Sequence, residues 1–275
     1  MRSEAALIGQ ITDLHILAER ARAYGVADTS MALEALEDYL FSISPPLDAL
    51  VMTGDLADAG EPGAYDFIAK LFSRWQVPVL ALPGNHDSKE AFRDKLGDLC
   101  PANNHGHLSY ARALGKLRLI MLDTAIEARH GGHLGESGAL FLEEELLRSR
   151  GCLAFVFCHH PPFASGLGAL DEAFEGRERL LGALARHPKN LALASGHLHR
   201  PMAARVQLNG SGEILATVAP PAAMPIDLEL RPDGGQKFSL GAPGFAIHRL
   251  EGGRLATHFG TVPGAWPGTG PHYFA

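Results

Sequence analysis

Residues 77–87 read VPVLALPGNHD, an apolar run that changes abruptly into the polar cluster Gly84-Asn85-His86-Asp87. A short apolar run that ends at Pro and Gly predicts a buried strand. The polar residues after it would then lie at the carboxyl end of that strand, where open α/β sheets bind their ligands. The stretch therefore indicates an α/β fold with a functional site at one edge of a sheet.

Five further apolar runs also predict buried strands, at residues 5–11, 49–53, 117–122, 153–158 and 191–194. Leucines and aromatic residues at helical spacing predict helices between the first three runs, the first of them capped by Asp28 or Thr29. Further helices are predicted at residues 137–149 and 175–187, with Pro188 ending the last. The first half is thus β-α-β-α-β with parallel strands.

The composition narrows the class of protein. The chain has 275 residues, 46% of them hydrophobic, and a formal net charge of -7 without a run of Lys or Arg, so duplex nucleic acid is not an expected partner. No 18-residue apolar stretch and no signal sequence stand out, so no membrane association is expected either. The three cysteines are odd in number and lack zinc or redox spacing. A soluble protein of the cytoplasm is expected.

Polar clusters follow five of the six predicted strands. In chain order they are Asp13-Leu14-His15, Gly54-Asp55, Gly84-Asn85-His86-Asp87, His159-His160-Pro161 and Gly196-His197-Leu198-His199. Strand ends of this kind converge on one crevice. Imidazole nitrogen and carboxylate oxygen without thiolate are ligands that suit a pair of first-row metal ions. The five clusters therefore predict one metal site.

These motifs resemble the calcineurin-like metallophosphoesterase superfamily, whose signature is D-x-H, G-D, G-N-H-[DE], a lone H and G-H-x-H in that order. All five blocks are present between residues 13 and 199. The chain is also similar, more weakly, to class III cyclic-nucleotide phosphodiesterases and bacterial glycerophosphodiesterases through the HHPP sequence at 159–162. The resemblance implies a four-layer α-β-β-α sandwich with two mixed sheets.

The resemblance also implies the roles of the site residues. One metal would be held by Asp13, His15 and His199, and the other by Asn85, His159 and His197, with the Asp55 carboxylate bridging both. His159 is preferred to His160 as the ligand because it stands two residues before Pro161. His86 would contact the phosphate and protonate the leaving oxygen. The sequence does not choose among iron, manganese, zinc and cobalt, because His, Asn and Asp suit several first-row ions.

The expected activity is hydrolysis of a small phosphodiester, of the cyclic nucleotide or glycerophosphodiester type, by in-line attack of a hydroxide that bridges the metals. Two divalent ions, two carboxylates and this hydroxide leave a charge of about +1, which suits a diester monoanion. A phosphomonoesterase or a nucleotide pyrophosphatase stays an alternative, because surrounding loops set specificity. A non-catalytic binding scaffold is disfavoured, because every ligand position and His86 are filled.

The remaining sequence carries weaker predictions. Residues 1–200 are expected to form the core, and residues 201–275 to supply strands of a second sheet, a small appendage and a tail in the same domain. The Pro- and Gly-rich stretch 219–244 is a candidate for a lid or for the contact of a homo-oligomer. Asp87 and Asp123 are expected to be structural or to orient ligands. Eight histidines are expected on the surface or in loops, with His105 and His107 as candidates for lining the cleft: His105, His107, His130, His133, His187, His248, His258 and His272.

Overall fold

The computed structural model describes residues 5–101, 107–187, 191–210, 212–231 and 235–274. The predicted positions His105 and Pro188 lie outside these residues. The elements are, in order, β1 (Ala6–Ile11), α1 (Thr29–Phe41), β2 (Ala49–Thr53), α2 (Pro62–Phe72), β3 (Val79–Leu82), α3 (Lys89–Leu96), β4 (Tyr110–Leu114), β5 (Leu117–Leu122), α4 (Glu136–Arg148), β6 (Leu153–Cys158), α5 (Arg177–Ala185), β7 (Leu191–Ser195), β8 (Met202–Gln207), β9 (Glu213–Val218), β10 (Lys237–Phe238), β11 (Gly244–Glu251), β12 (Arg254–Thr261) and β13 (His272–Tyr273).

The strands form two large mixed sheets and one small one. The first sheet has the order β12-β11-β1-β2-β3, in which β1, β2 and β3 are parallel and the two added strands are antiparallel. The second has the order β4-β5-β6-β7-β9-β8, with the antiparallel strands β4 and β8 at its two edges. The small sheet pairs β10 with β13 near the C-terminus. Residues after 200 thus add two strands to each large sheet.

The two large sheets pack face to face and helices cover their outer faces. The core between the sheets contains Ile8 of β1 together with Phe155 and Phe157 of β6. Helices α1 and α2 belong to the same apolar cluster through buried residues such as Leu36. Helices α4 and α5 pack on the far side of the second sheet, in a separate cluster. The predicted four-layer α-β-β-α sandwich with a small C-terminal appendage is confirmed.

Local sequence explains where the main helices begin. The Asp28 carboxylate accepts a hydrogen bond from the backbone N–H of Met31 at 3.0 Å, so Asp28 caps α1, as one of the two predicted caps. Pro62 opens α2, where its fixed φ suits the first helical turn and its missing N–H costs nothing. All six predicted strands and the helices at 137–149 and 175–187 are present, with ends shifted by two residues or fewer.

One histidine prediction is wrong. His248 was expected on the surface or in a loop, but it lies on β11 and is fully buried between the sheets. Its ring packs edge-on against Phe155, with 4.7 Å between ring centroids. Gln10 and Thr257 hydrogen-bond its two ring nitrogens, each at 2.9 Å, so the polar atoms are satisfied in the core. Burial lowers the pKa of His248 to about 3 and keeps it neutral.

Candidate metal centre

The five predicted clusters meet at one edge of the sandwich. Each follows the carboxyl end of its strand, three of them in the first sheet and two in the second. Every predicted metal ligand is buried: Asp13, His15, Asp55, Asn85, His159, His197 and His199. Because both sheets contribute, the donor atoms face each other across the gap between the sheets.

Asp13, His15 and His199 form one group whose donor atoms lie within 4.8 Å of one another. The Nε2 atoms of His15 and His199 are 3.0 Å apart. His199 Nε2 lies 3.5 Å from Asp13 Oδ1. Two ring nitrogens and a carboxylate oxygen at such distances can converge on a single cation.

A second group forms around His159. Its Nε2 lies 3.2 Å from Asn85 Oδ1 and 3.2 Å from Asp55 Oδ2. The ring of His197 packs beside it, with 5.1 Å between centroids. The same Asp55 Oδ2 lies 3.9 Å from His15 Nε2, so this one oxygen stands between the two groups.

Hydrogen bonds on the far side of each ring direct the Nε2 atoms into the centre. His159 Nδ1 donates to the Thr53 carbonyl, His199 Nδ1 donates to the Met224 carbonyl, and His15 Nδ1 faces the Asp58 carboxylate, each at 2.8 Å. These partners only accept, so the proton stays on Nδ1 and the neutral ring presents a lone pair at Nε2. Lone pairs and carboxylates then face each other, and a cation satisfies them all. The residues present therefore fit a metal centre.

The charges of the site favour the same conclusion. Burial opposes the charged form of His159, but the Asp55 carboxylate more than reverses this and raises the pKa of His159 to about 9. The centre thus favours positive charge, and without a metal ion His159 itself binds a proton. Burial lowers the pKa of His197 to about 3 and that of His199 to about 4, so both rings are neutral and able to ligate.

Backbone conformation at the site is unusual. Asp13, His15, Asp55, His197 and His199 all have positive φ, between 47° and 72°. They make up half of the ten described non-glycine residues in that region, which L-residues seldom occupy. Such strain concentrates at functional sites, where the surrounding structure holds it in place.

Glycines make room for these turns. A Cβ on Gly84 would lie 2.2 Å from Asp55 Oδ1, and one on Gly54 would lie 2.4 Å from His159 Nδ1. Gly54 also has a φ of 93°. No side chain fits at either position, so the loops carrying Asp55 and Asn85 can approach each other only as glycine-containing turns.

Comparison with known proteins identifies this arrangement. A family model described as calcineurin-like phosphoesterase matches residues 6–201. The chain belongs to this family. The match includes all five motifs that the sequence singled out, and it makes the chain a metal-dependent phosphoester hydrolase.

Individual relatives of this phosphoesterase match between 70% and 97% of its length. A protein named probable glycerophosphodiester phosphodiesterase GpdQ, from Arcobacter nitrofigilis, is 29% identical over 270 residues, which is 97% of each chain. A probable cyclic nucleotide phosphodiesterase from Rhodopseudomonas palustris is 33% identical over 196 residues, 70% of this chain and 71% of its own length. A solved structure of PhoD is similar in fold alone, with a TM-score of 0.57, 11% identity and coverage of 94% of this chain and 68% of its own.

Asp87 and Asp123 of the phosphoesterase differ in their roles. Asp87 accepts hydrogen bonds from the backbone N–H groups of Leu56, Ala57 and Gly84 at 2.8 to 3.1 Å, and so ties the loop of Asp55 to that of Asn85. Asp123 instead accepts from Lys89 Nζ at 2.7 Å and from two backbone N–H groups, away from the candidate ligands. Asp87 is thus part of the support of the centre, and Asp123 is structural.

The groups that orient the ligating histidines were not predicted from the sequence. Asp58 orients His15, and its signal is only its position three residues after Asp55. The Met224 carbonyl orients His199. Every residue has a backbone carbonyl, so the sequence gives no signal for this role. Met224 belongs to the stretch 219–244. That this stretch forms a lid or the contact of a homo-oligomer stays a prediction.

His86 and His160 lie beside the centre. His86 donates its backbone N–H to Asp55 Oδ1, and its Nδ1 donates to the Asp58 carbonyl, each at 2.9 Å. Its side chain is 26% exposed, so the ring borders open space. His160 is buried with Nδ1 3.0 Å from Thr124 Oγ1, while its Nε2 has no hydrogen-bond partner within the described residues.

Cavities open on both sides of the centre. The larger, of ≈ 680 Å³, is lined by His160 and His197 among others, and the smaller, of ≈ 340 Å³, by Asn85 and His86. His107 lines neither of them but a third cavity with Lys89 and Asp123. Within the described residues no helix is both long and apolar enough to cross a membrane.

Proposed function

We propose that this phosphoesterase is a binuclear metal-dependent phosphodiesterase that hydrolyses a small phosphodiester, of the glycerophosphodiester or cyclic nucleotide type. The observation that carries the proposal is the position of Asp55 Oδ2, 3.2 Å from His159 Nε2 and 3.9 Å from His15 Nε2. An oxygen between two groups of ligands is suited to bridge two cations.

In the proposed ligand sets, one metal is held by Asp13, His15 and His199, and the other by Asn85, His159 and His197, with Asp55 shared. His159 is preferred to His160 because its Nε2 faces both Asn85 and Asp55. Several first-row ions suit these donors, iron, manganese, zinc and cobalt among them.

Bound metals would supply the activation of a water molecule and the neutralisation of phosphate charge. The chain itself positions the groups around them. The hydrogen bond of His86 to Asp58 and its opening to the smaller cavity support a role in giving a proton to the leaving oxygen. Burial of Asp13, Asp55 and the ligating imidazoles keeps bulk water away from the reacting centre.

A diester is favoured over a monoester by charge. The metal centre keeps about +1 for substrate, which matches the single charge of a diester. Arg177 and Arg179 line the larger cavity, but three carboxylates line it as well, those of Asp171, Glu172 and Glu178. The cavity therefore adds no net positive charge, and the relatives named above are both named for diester substrates.

We further propose that the enzyme works in the cytoplasm. The cysteines Cys100, Cys152 and Cys158 are all free thiols, and two of them are buried. Free thiols are typical of a reducing compartment.

Substitution of Asp55 by Ala tests the binuclear assignment. Because one carboxylate serves both groups, Asp55→Ala is expected to lower the content of both metals and to abolish most turnover. Asp94→Ala is the control, since Asp94 lies on α3 with its side chain 73% exposed. The measurements are metal content of the purified chain and turnover of phosphomonoesters, cyclic nucleotides, glycerophosphodiesters and pyrophosphates. Two metals and normal rates in Asp55→Ala would exclude Asp55 as the bridging ligand. If the metal-loaded wild-type chain turned over none of these substrates, the chain would be a non-catalytic binding scaffold.

A further inference from the structure

His130 stands where the two cavities meet. It follows β5 on the connection to α4, and among the residues that the structure describes it is the one that lines both the larger and the smaller cavity. Its ring approaches that of His86 edge-on, with 6.1 Å between centroids and an angle of 67°. An imidazole therefore separates the two spaces directly beside the proposed proton donor.

The connection that carries His130 is anchored on both sides. Arg129 donates to the Glu175 carboxylate at 3.1 Å, and the backbone N–H of Glu175 donates to the Gly132 carbonyl at 2.8 Å. A Cβ on Gly132 would lie 2.8 Å from His160 Cβ, so only glycine lets this connection pack against His160. His130 is thus held beside His86 by a connection that is anchored through Arg129 and Gly132.

The two cavities differ in size and in chemistry. The smaller contains His86 together with polar groups such as Asp58, Ser88 and Glu127. The larger has twice its volume and includes the aromatic rings of Phe163 and Phe174. His86 lines the smaller cavity and is not among the lining residues of the larger one.

We infer that His130 divides the substrate site into two subsites, a small one beside His86 for the leaving alcohol and a large one beside His160 for the alcohol that stays on phosphorus. The inference rests on the proposed phosphodiesterase function. Hydrolysis breaks the P–O bond to the leaving alcohol, the hydroxyl of a water forms the new P–O bond, and His86 donates a proton to the departing oxygen. The proton released by the water passes to solvent. Since only the small subsite contains His86, the bulkier alcohol must occupy the other.

An unsymmetrical diester tests the assignment. Ethyl 2-(2-naphthyl)ethyl phosphate joins a small and a large primary alcohol of similar leaving ability, so product identity reports orientation rather than leaving-group chemistry. The metal-loaded enzyme is expected to release ethanol and to form naphthylethyl phosphate, with a preference of roughly tenfold or more, the scale that pocket fit commonly supplies. The products are separated by chromatography and identified by phosphorus NMR.

Variants on one connection test the role of His130. His130→Ala is expected to reduce the product ratio by roughly tenfold towards equal cleavage, because the barrier between the subsites is lost. His133→Ala is the matched control: its ring faces Glu175 and the third cavity, and the ratio should stay at the wild-type value.

The outcomes separate the inference from the function on which it rests. A wild-type ratio near one, or preferred release of naphthylethanol, would overturn the inference while leaving a phosphodiesterase. An unchanged ratio in His130→Ala would remove His130 as the divider. Failure of the metal-loaded enzyme to hydrolyse any diester would overturn the proposed function and the inference together. Metal content and circular dichroism of each variant show that the ratio is measured on folded, loaded protein.

Discussion

Asp58, which lies outside the five motifs, orients His15 of the centre and His86 beside it. Its carboxylate lies 2.8 Å from His15 Nδ1, and its backbone carbonyl accepts from His86 Nδ1 at 2.9 Å. Burial raises the pKa of Asp58, but the hydrogen bond and charge of His15 outweigh this and leave the pKa below its ordinary value. A charged Asp58 therefore holds the tautomer of His15 in which Nε2 faces the metal site.

Substitution of Asp58 by Asn is expected to weaken metal binding without removing a ligand. The amide keeps the shape but loses the charge, and loss of such a partner typically lowers metal affinity by about 10–100-fold. Competition with a fluorescent chelator measures the affinity. Asp66→Asn is the control, because that side chain lies on α2 and is 60% exposed. Equal affinities in wild type and Asp58→Asn would show that His15 needs no orienting charge.

His86 is expected to act on the leaving group and not on the metals. His86→Ala should retain its metal content while kcat falls by about 10²–10⁴-fold, the range typical of general acid-base groups. The loss should be smaller for a p-nitrophenolate leaving group, which needs little protonation. Rate measurements on esters with leaving groups of different basicity test this. A loss of the same size for all of them would mean that His86 only positions the phosphate.

At the scale of elements, the turn between β3 and α3 controls the centre through Gly84. Gly84→Ala is expected to force Asp55 and Asn85 apart, lowering both metal content and the free energy of unfolding, the latter by about 1–3 kcal/mol or more. Gly63→Ala on α2 is the control, because its nearest neighbour would be Ala18 Cβ at 3.4 Å, and its stability should stay within about 1 kcal/mol of wild type. Denaturant unfolding and metal analysis measure both effects. Wild-type metal content in Gly84→Ala would contradict the packing argument.

The elements that were predictable from the sequence are those with strong apolar patterns. The six buried strands were predictable because apolar residues dominate each run. Strand β4 was not predicted because only its first residue, Tyr110, is buried, and the other four, the central Arg112 among them, are partly or fully exposed. Helix α3 was missed because its eight residues include only two that are buried, Phe92 and Leu96. Apolar periodicity in a sequence reports burial, so elements with few buried residues show little of this periodicity.

The geometry within the site was less predictable than its composition. Motif order located the donors, but the positive φ of residues such as Asp13 and His199 follows from packing of the surrounding loops. The burial of His248 is a similar case, since a lone histidine in a strand carries no signal of the Gln10 that satisfies it across the sheet. The packing of distant parts of the chain determines both the positive φ of the site residues and the burial of His248.

At the scale of the whole molecule, the candidate metal centre lies between the sheets. Asp13, His15, Asp55 and Asn85 follow strands of the first sheet, whereas His159, His197 and His199 follow strands of the second. The sheets are joined close to the site, where Gln10 Nε2 donates to the Ser195 carbonyl at 3.1 Å. The separation of the two sheets therefore sets the distances between ligands from the two halves of the chain.

The balance of charge over the whole cleft predicts a preference between ester classes. Enzymes for monoester dianions often add fixed cations, commonly an arginine fork, beyond the metals. Here Arg200, directly after the last candidate ligand, is turned away and donates to the Ile226 carbonyl. The guanidinium groups of Arg177 and Arg179 share their cavity with three carboxylates.

With two divalent ions and a hydroxide bound as proposed, Asp13 and Asp55 would leave the centre with about +1 for substrate, which suits a diester monoanion better than a monoester dianion. In one metal-loaded preparation, kcat/KM is expected to be higher for bis(p-nitrophenyl) phosphate than for p-nitrophenyl phosphate. The leaving group is the same in both, so the comparison isolates the charge and the second alcohol. A reproducible preference for the monoester across the neutral pH range would contradict the diester assignment and would leave the metal-dependent hydrolase intact.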